Sequence, residues 1–167
     1  GGHDAGPQLQ HLHAVGGVLH LDIKPGDVIV GGGRARLIDL SLAQPPGRVS
    51  AGLGTRDYLS PEQGVGGEVT HATDVWGLGV TIFEAATGVC PFEAESPGSS
   101  ASVAAGNCRT CGRPTKYRQL SSRAPRVASL RRVPRALSHA LDGCLEPDPA
   151  DRPTLPELDL AFNALAE

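Results

Sequence analysis

The sequence predicts a mainly helical domain with a small β patch. Apolar residues recur at helical spacing in several separate stretches, whereas β-like runs are short and confined to residues 18–40. In addition, 22 glycines and 14 prolines in 167 residues keep the helices short and the loops numerous. Hydrophobic residues make up 40% and charged residues 20%, an ordinary globular balance that supports one core and one domain, residues 1–167. The formal net charge of −3 gives no electrostatic reason to expect nucleic acid or an anionic membrane as partner.

Residues 9–15 carry a first helix, stopped by Gly16-Gly17. Residues 18–20 and 28–30 are short strands, with Pro25-Gly26 between them. Gly31-Gly32-Gly33 makes a tight turn into a further strand over residues 36–40. Residues 44–54 form a Pro/Gly-rich loop, and Pro61-Glu62-Gln63 starts a helix with proline and acid in its first turn. Residues 73–86 give the strongest helix, closing at Gly88. Residues 93–114, flanked by Phe92, are rich in Ser, Ala, Gly and Pro and read as an exposed, flexible insertion. Residues 134–145 and 156–165 supply the last two helices. His11 and His13 are expected on the surface of the first helix.

No basic stretch followed by an apolar one opens the sequence, and no uncharged apolar run is long enough to span a bilayer. Cys90, Cys108, Cys111 and Cys144 are too few and too scattered for a disulfide scaffold, so a cytoplasmic location is the expectation. Cys108-x-x-Cys111 has metal-ligand spacing, but no second pair matches it, and two loop thiols are expected instead. The arginines at 123, 126, 131, 132 and 135 are expected on a solvated face. There is no methionine, and the chain is expected to be a fragment or a trimmed product.

The chemistry is concentrated in five motifs. His20-Leu21-Asp22-Ile23-Lys24-Pro25-Gly26-Asp27 is similar to the protein-kinase catalytic loop, His-Arg-Asp-Leu-x-x-x-Asn. Leu37-Ile38-Asp39-Leu40-Ser41 resembles the strand-borne Asp-Phe-Gly. Gly54-Thr55-x-x-Tyr58-x-Ser60-Pro61-Glu62 resembles the loop that ends in Ala-Pro-Glu. Asp74-Val75-Trp76-Gly77-Leu78-Gly79 and Asp148-Pro149-x-x-Arg152-Pro153 complete the order. Each is weak alone; five in sequence identify a resemblance to bacterial serine/threonine kinases of the eukaryotic type.

The resemblance implies a kinase-like fold, of which this chain is the large C-terminal lobe. It implies ATP and Mg2+ as cofactors and a protein substrate. Phosphoryl transfer is mostly positioning and charge neutralisation. Asp22 would accept the proton of the substrate hydroxyl, and Lys24 would offset charge on the moving phosphate. Asp27 and Asp39 would hold the metal, and Thr55 would bridge base and lysine at the substrate-docking loop. The remaining roles are architectural. His20 and Leu40 would pack beneath the site, Asp74 would accept from the catalytic-loop backbone, and Glu62 would pair with Arg152.

The sequence also departs from the family. Nineteen residues precede the catalytic loop, with no Gly-rich phosphate loop, strand lysine or helix glutamate among them. The smaller N-terminal lobe is therefore expected upstream in a longer chain. Asp27 stands where the family has Asn, which adds a third carboxylate and removes an amide donor. Ser41 replaces the Gly of Asp-Phe-Gly, and Leu21 replaces the Arg that binds a phosphorylated activation loop. The leading reading is a protein serine/threonine kinase, inactive as this piece alone. The alternative is a pseudokinase or truncated relic that binds partners. Kinases of this type often carry a transmembrane helix after the catalytic domain, and no such segment occurs here.

Overall fold

The computed structural model describes residues 5–32, 34–92 and 117–163. Helix α1 (Ala5–Ala14) leads into a hairpin of β1 (Val28–Gly31) and β2 (Arg34–Leu37). Strand β3 (Gly47–Arg48), helix α2 (Pro61–Val65) and strand β4 (Glu68–Val69) precede the long helix α3 (His71–Thr87). Short helices α4 (Arg118–Ser121) and α5 (Val127–Leu130) are followed by α6 (Arg135–Cys144) and α7 (Leu155–Asn163). Both sheets are two-stranded and antiparallel: β1 with β2, Val28 opposite Leu37, and β3 with β4.

Helix α3 organises the rest. Thr70 caps it by accepting from the Ala72 N–H, the Thr73 hydroxyl accepts from the Thr70 N–H, and Gly88 ends it at φ 79°. Residues 73–81 are buried without a break, because neighbours cover α3 on every side. One side meets Leu9 of α1, Ile23, Leu37 of β2 and Leu158 of α7. The other brings Trp76, Val80 and Phe83 against Phe92, Val127 and Leu141. Such close packing needs missing side chains: a Cβ on Gly77 would lie 3.2 Å from the Ile23 Cβ, and one on Gly79 would lie 2.5 Å from the Cys144 Cβ. Gly79→Ala is therefore expected to destabilise the protein by about 1–3 kcal/mol, although alanine is the better helix former. Equilibrium urea unfolding checks this, and a neutral or stabilising result would contradict it.

Several local expectations change. Residues 18–20 form no strand; Leu19 makes only a bridge to Gln44. The strand at 36–40 ends at Leu37, and two residues on Asp39 turns into the left-handed region at φ 60°. Leu40 does not pack beneath the site: it is 53% exposed. Phe92 belongs to the core, stacked on Trp76 at 5.3 Å. The insertion expected at residues 93–114 lies outside the described residues, and so do Cys108 and Cys111. The last helix begins one residue early, where Glu157 accepts from both the N–H and the hydroxyl of Thr154.

Candidate active site

The loop between α1 and β1 carries Asp22 and is pinned from below by Asp74. The Asp74 carboxylate accepts from the His20 N–H and the Leu21 N–H, both at 2.8 Å. It also accepts from His13 Nε2 at 2.7 Å. His13 is thus buried, not a surface residue: it follows Leu9 by one helical turn and shares its inward face. His71 stacks on it at 4.3 Å; burial first, then His13, lowers the His71 pKa. These bonds hold Leu21 at φ 66°, a conformation that surrounding structure must over-determine.

His20 is fully buried beneath the loop. Its Nε2 lies 3.1 Å from the Ile38 carbonyl oxygen, which only accepts, so Nε2 carries the proton. Nδ1 is left to accept from the Asp22 N–H at 3.4 Å. His20 thereby couples the loop of Asp22 to the residue before Asp39.

At the surface the Asp22 carboxylate is held at both oxygens. Oδ1 accepts from the Thr55 N–H at 2.7 Å, and Oδ2 faces Lys24 Nζ at 2.5 Å. It is the backbone of Thr55 that makes this contact. Lys24 also reaches Asp27 at 2.6 Å. Burial pulls the lysine pKa down, but the two carboxylates outweigh it and the net shift is upward. Lys24 remains a cation, and the third carboxylate introduced by Asp27 is balanced by it. Asp39 is exposed, and hydrogen bonding from Ser41 lowers its pKa and keeps it ionised.

Among the described residues, no three His, Cys, Asp or Glu side chains cluster as a complete metal cage. Asp27 and Asp39 instead offer two hard carboxylates. That donor set suits Mg2+, which takes one or two carboxylates and completes its shell with phosphate and water oxygens.

The docking loop is fixed from beneath. The Tyr58 hydroxyl donates to Glu84 at 2.5 Å; burial and then Glu84 raise its pKa. The Gln119 amide donates to the Arg56 and Leu59 carbonyls at 2.8 and 2.9 Å. Arg152 grips Glu62 with two bonds, at 2.8 and 2.9 Å. Burial alone would raise the Glu62 pKa, but Arg152 reverses that and lowers it. Sequence reasoning missed His13, Gln63, Glu84 and Gln119. For His13 the i, i+4 spacing from Leu9 was an available signal; the others act through contacts that no local pattern records.

The protein kinase domain family matches residues 7–161. The chain belongs to the protein kinase family. It is 33% identical over 155 residues to the probable serine/threonine-protein kinase PkwA of Thermomonospora curvata, covering 90% of this chain and 18% of that one. It is 36% identical over 93 residues to the serine/threonine-protein kinase PknA of Mycobacterium tuberculosis, covering 52% and 21%. The chain thus spans about a fifth of the length of these bacterial relatives. The solved structure of the Cydia pomonella granulovirus kinase PK-1 superposes with a TM-score of 0.69 over 92% of this chain and 52% of that one. At 22% identity it shows the kinase fold alone.

Proposed function

We propose that residues 1–167 form the C-terminal lobe of an ATP- and Mg2+-dependent protein serine/threonine kinase. The arrangement around Asp22 carries this reading. One oxygen is oriented by the Thr55 N–H and the other by Lys24, so the carboxylate is aimed rather than free. Asp22 would receive the substrate hydroxyl's proton, and Lys24 would neutralise charge on the phosphoryl group in transit. Asp27 and Asp39 would hold Mg2+, which supplies charge neutralisation on the phosphates of ATP. A Gly-rich roof and its lysine would complete the nucleotide site from outside these residues. No helix among the described residues is long and apolar enough to cross a membrane. The alternative, a partner-binding module without catalysis, draws on Asp27 in place of Asn and on the closure of Lys24 over both carboxylates.

The full-length protein, given Mg2+ and labelled ATP, is expected to place phosphate on serine or threonine of a protein substrate. Phosphoamino-acid analysis showing mainly phosphotyrosine would refute the specificity, and no transfer at all would favour the alternative.

Control should follow from Leu21. It is buried with Leu19 and Val69, against Val49 and Leu53 of the segment between Asp39 and Glu62. Apolar contact thus holds this segment where an arginine would hold a phosphate. Activity of the full-length kinase is expected to change less than about twofold on phosphatase treatment or on Ser50→Ala, since neither touches that contact. A large loss in both would show that another cation has taken the arginine's place.

A further inference from the structure

Gln63 lies in the first turn of α2, and its side chain is almost wholly buried. The amide Nε2 donates to two carbonyls at once, Leu21 at 2.8 Å and Leu53 at 2.9 Å. Its Oε1 accepts from the Ser60 N–H at 3.0 Å, and its backbone carbonyl accepts from the Gly52 N–H at 2.8 Å. Both N–H groups of the amide are therefore used, each on a different segment.

These two segments meet at Asp22. The Leu21 carbonyl belongs to the peptide that bears the Asp22 nitrogen, so fixing it fixes the plane from which the Asp22 side chain departs. Leu21 sits at φ 66°, and its N–H is held by Asp74; Gln63 holds the other side of the same residue. The Leu53 carbonyl lies two residues before Thr55, whose N–H orients Asp22 Oδ1. Between them, Gly54 at φ 120° leaves room that a side chain would fill: a Cβ there would lie 3.0 Å from the Leu21 oxygen and 3.3 Å from Gln63 Nε2.

We propose that Gln63 is a positioning residue for phosphoryl transfer, tying the loop that carries Asp22 to the segment that carries Thr55 and so setting the aim of the Asp22 carboxylate. This rests on the kinase reading above. Gln63 touches no reacting atom; it acts through the Leu21 and Leu53 carbonyls.

The test uses the full-length protein, unsubstituted and as Gln63→Met and Gln63→Glu. Two readouts are taken: steady-state kinetics on a serine peptide, and hydrogen exchange by mass spectrometry. Methionine keeps the bulk and removes both donors. Its kcat is expected to fall about 10- to 100-fold, with the KM for ATP within about twofold, because misplacement rather than binding is at issue. Exchange is expected to rise about tenfold in the segments around Leu21 and Thr55 while α3 and α6 stay protected. Gln63→Glu adds a signature that a merely structural role would not give. Ionised, it sets an oxygen against two carbonyl oxygens; protonated, it regains one O–H donor. Its kcat relative to the unsubstituted protein is therefore expected to rise as pH falls from about 8 to 6, burial having raised the introduced carboxyl's pKa.

A kcat within about threefold of the unsubstituted value, or a change in KM alone, overturns the proposal. So does loss of protection that extends through α3, which would mean only that the fold had loosened. If Gln63→Met does not fold, the pH series on Gln63→Glu decides, and a flat ratio counts against. If the unsubstituted protein transfers no phosphate, it is the kinase reading that fails. The exchange measurement then still decides the tie: unchanged exchange at both segments overturns it, and loosening at both retains it.

Discussion

Arg152→Met is expected to lower the unfolding free energy by about 3–5 kcal/mol, because it leaves the Glu62 carboxylate buried without its cation. The Arg152 side chain has no exposure and that of Glu62 has 9%, so water cannot replace the lost partner. The guanidinium also donates to the carbonyls of Ala72, Glu146 and Pro147; removing it orphans three acceptors on two stretches of chain. At this size the expected drop in Tm is roughly 6–20 °C. Calorimetry or urea unfolding measures it, and a change under about 1 kcal/mol would place the pair among inconsequential surface bridges. Replacing both partners by apolar residues is expected to cost less than the two single changes added together, since no charge is then stranded.

The same pair sets an acid dependence. The folded Glu62 pKa is lowered from its ordinary value of 4.5. Its contribution is therefore fully present above about pH 4.5 and is lost as pH falls through the depressed folded value. In Arg152→Met the sign is expected to reverse. Burial without the cation raises the Glu62 pKa, so stability should then improve on acidification through the region above pH 4.5, until other carboxylates protonate.

Asp22→Asn in the full-length protein is expected to reduce kcat about 10²- to 10⁴-fold, the range lost with a positioned general base. Asparagine retains an oxygen for the Thr55 N–H, so the loop geometry should survive. It cannot take a proton, and it no longer pairs as an anion with Lys24. The KM for ATP is expected to change little, because the nucleotide does not depend on this carboxylate. A loss smaller than about tenfold would remove Asp22 from the base role. The chain of residues 1–167 by itself is expected to give no measurable turnover, since nucleotide gripped on one side only is not positioned.

The motifs were legible in the sequence because kinase chemistry concentrates them in short runs. From His20 to Asp27 the spacing itself carries the loop, and Pro61-Glu62-Gln63 marks a helix start directly. The Glu62–Arg152 pair spans ninety residues and was accessible only through the family resemblance. The errors have physical causes. His13 was assigned to the surface by residue type, yet the helical face of Leu9 carried it inward to Asp74. Phe92 borders the stretch expected to be an exposed insertion, yet its ring stacks on Trp76 in the core. Leu21 takes positive φ, which no propensity of leucine suggests; tertiary hydrogen bonds from its N–H to Asp74 and from Gln63 to its carbonyl impose it. Gln63 and Gln119 look like ordinary surface amides in the sequence. They are buried because backbone carbonyls of distant segments need donors where the loops converge.

Trp76 is the only tryptophan in the chain, and its surroundings make it an optical reporter of two separate events. Its indole Nε1 is buried and has no hydrogen-bond partner among the described residues. Emission should therefore begin at short wavelength and move to longer wavelength when water arrives. One face lies 5.0 Å from the Arg152 guanidinium, so release of Glu62 and movement of that cation would register directly. The ring also stacks on Phe92, the last described residue before residue 93, so a shift in that junction would register too. A single excitation can thus follow the docking-loop anchor and the edge of the core without any label, and Phe92→Leu would separate the two contributions.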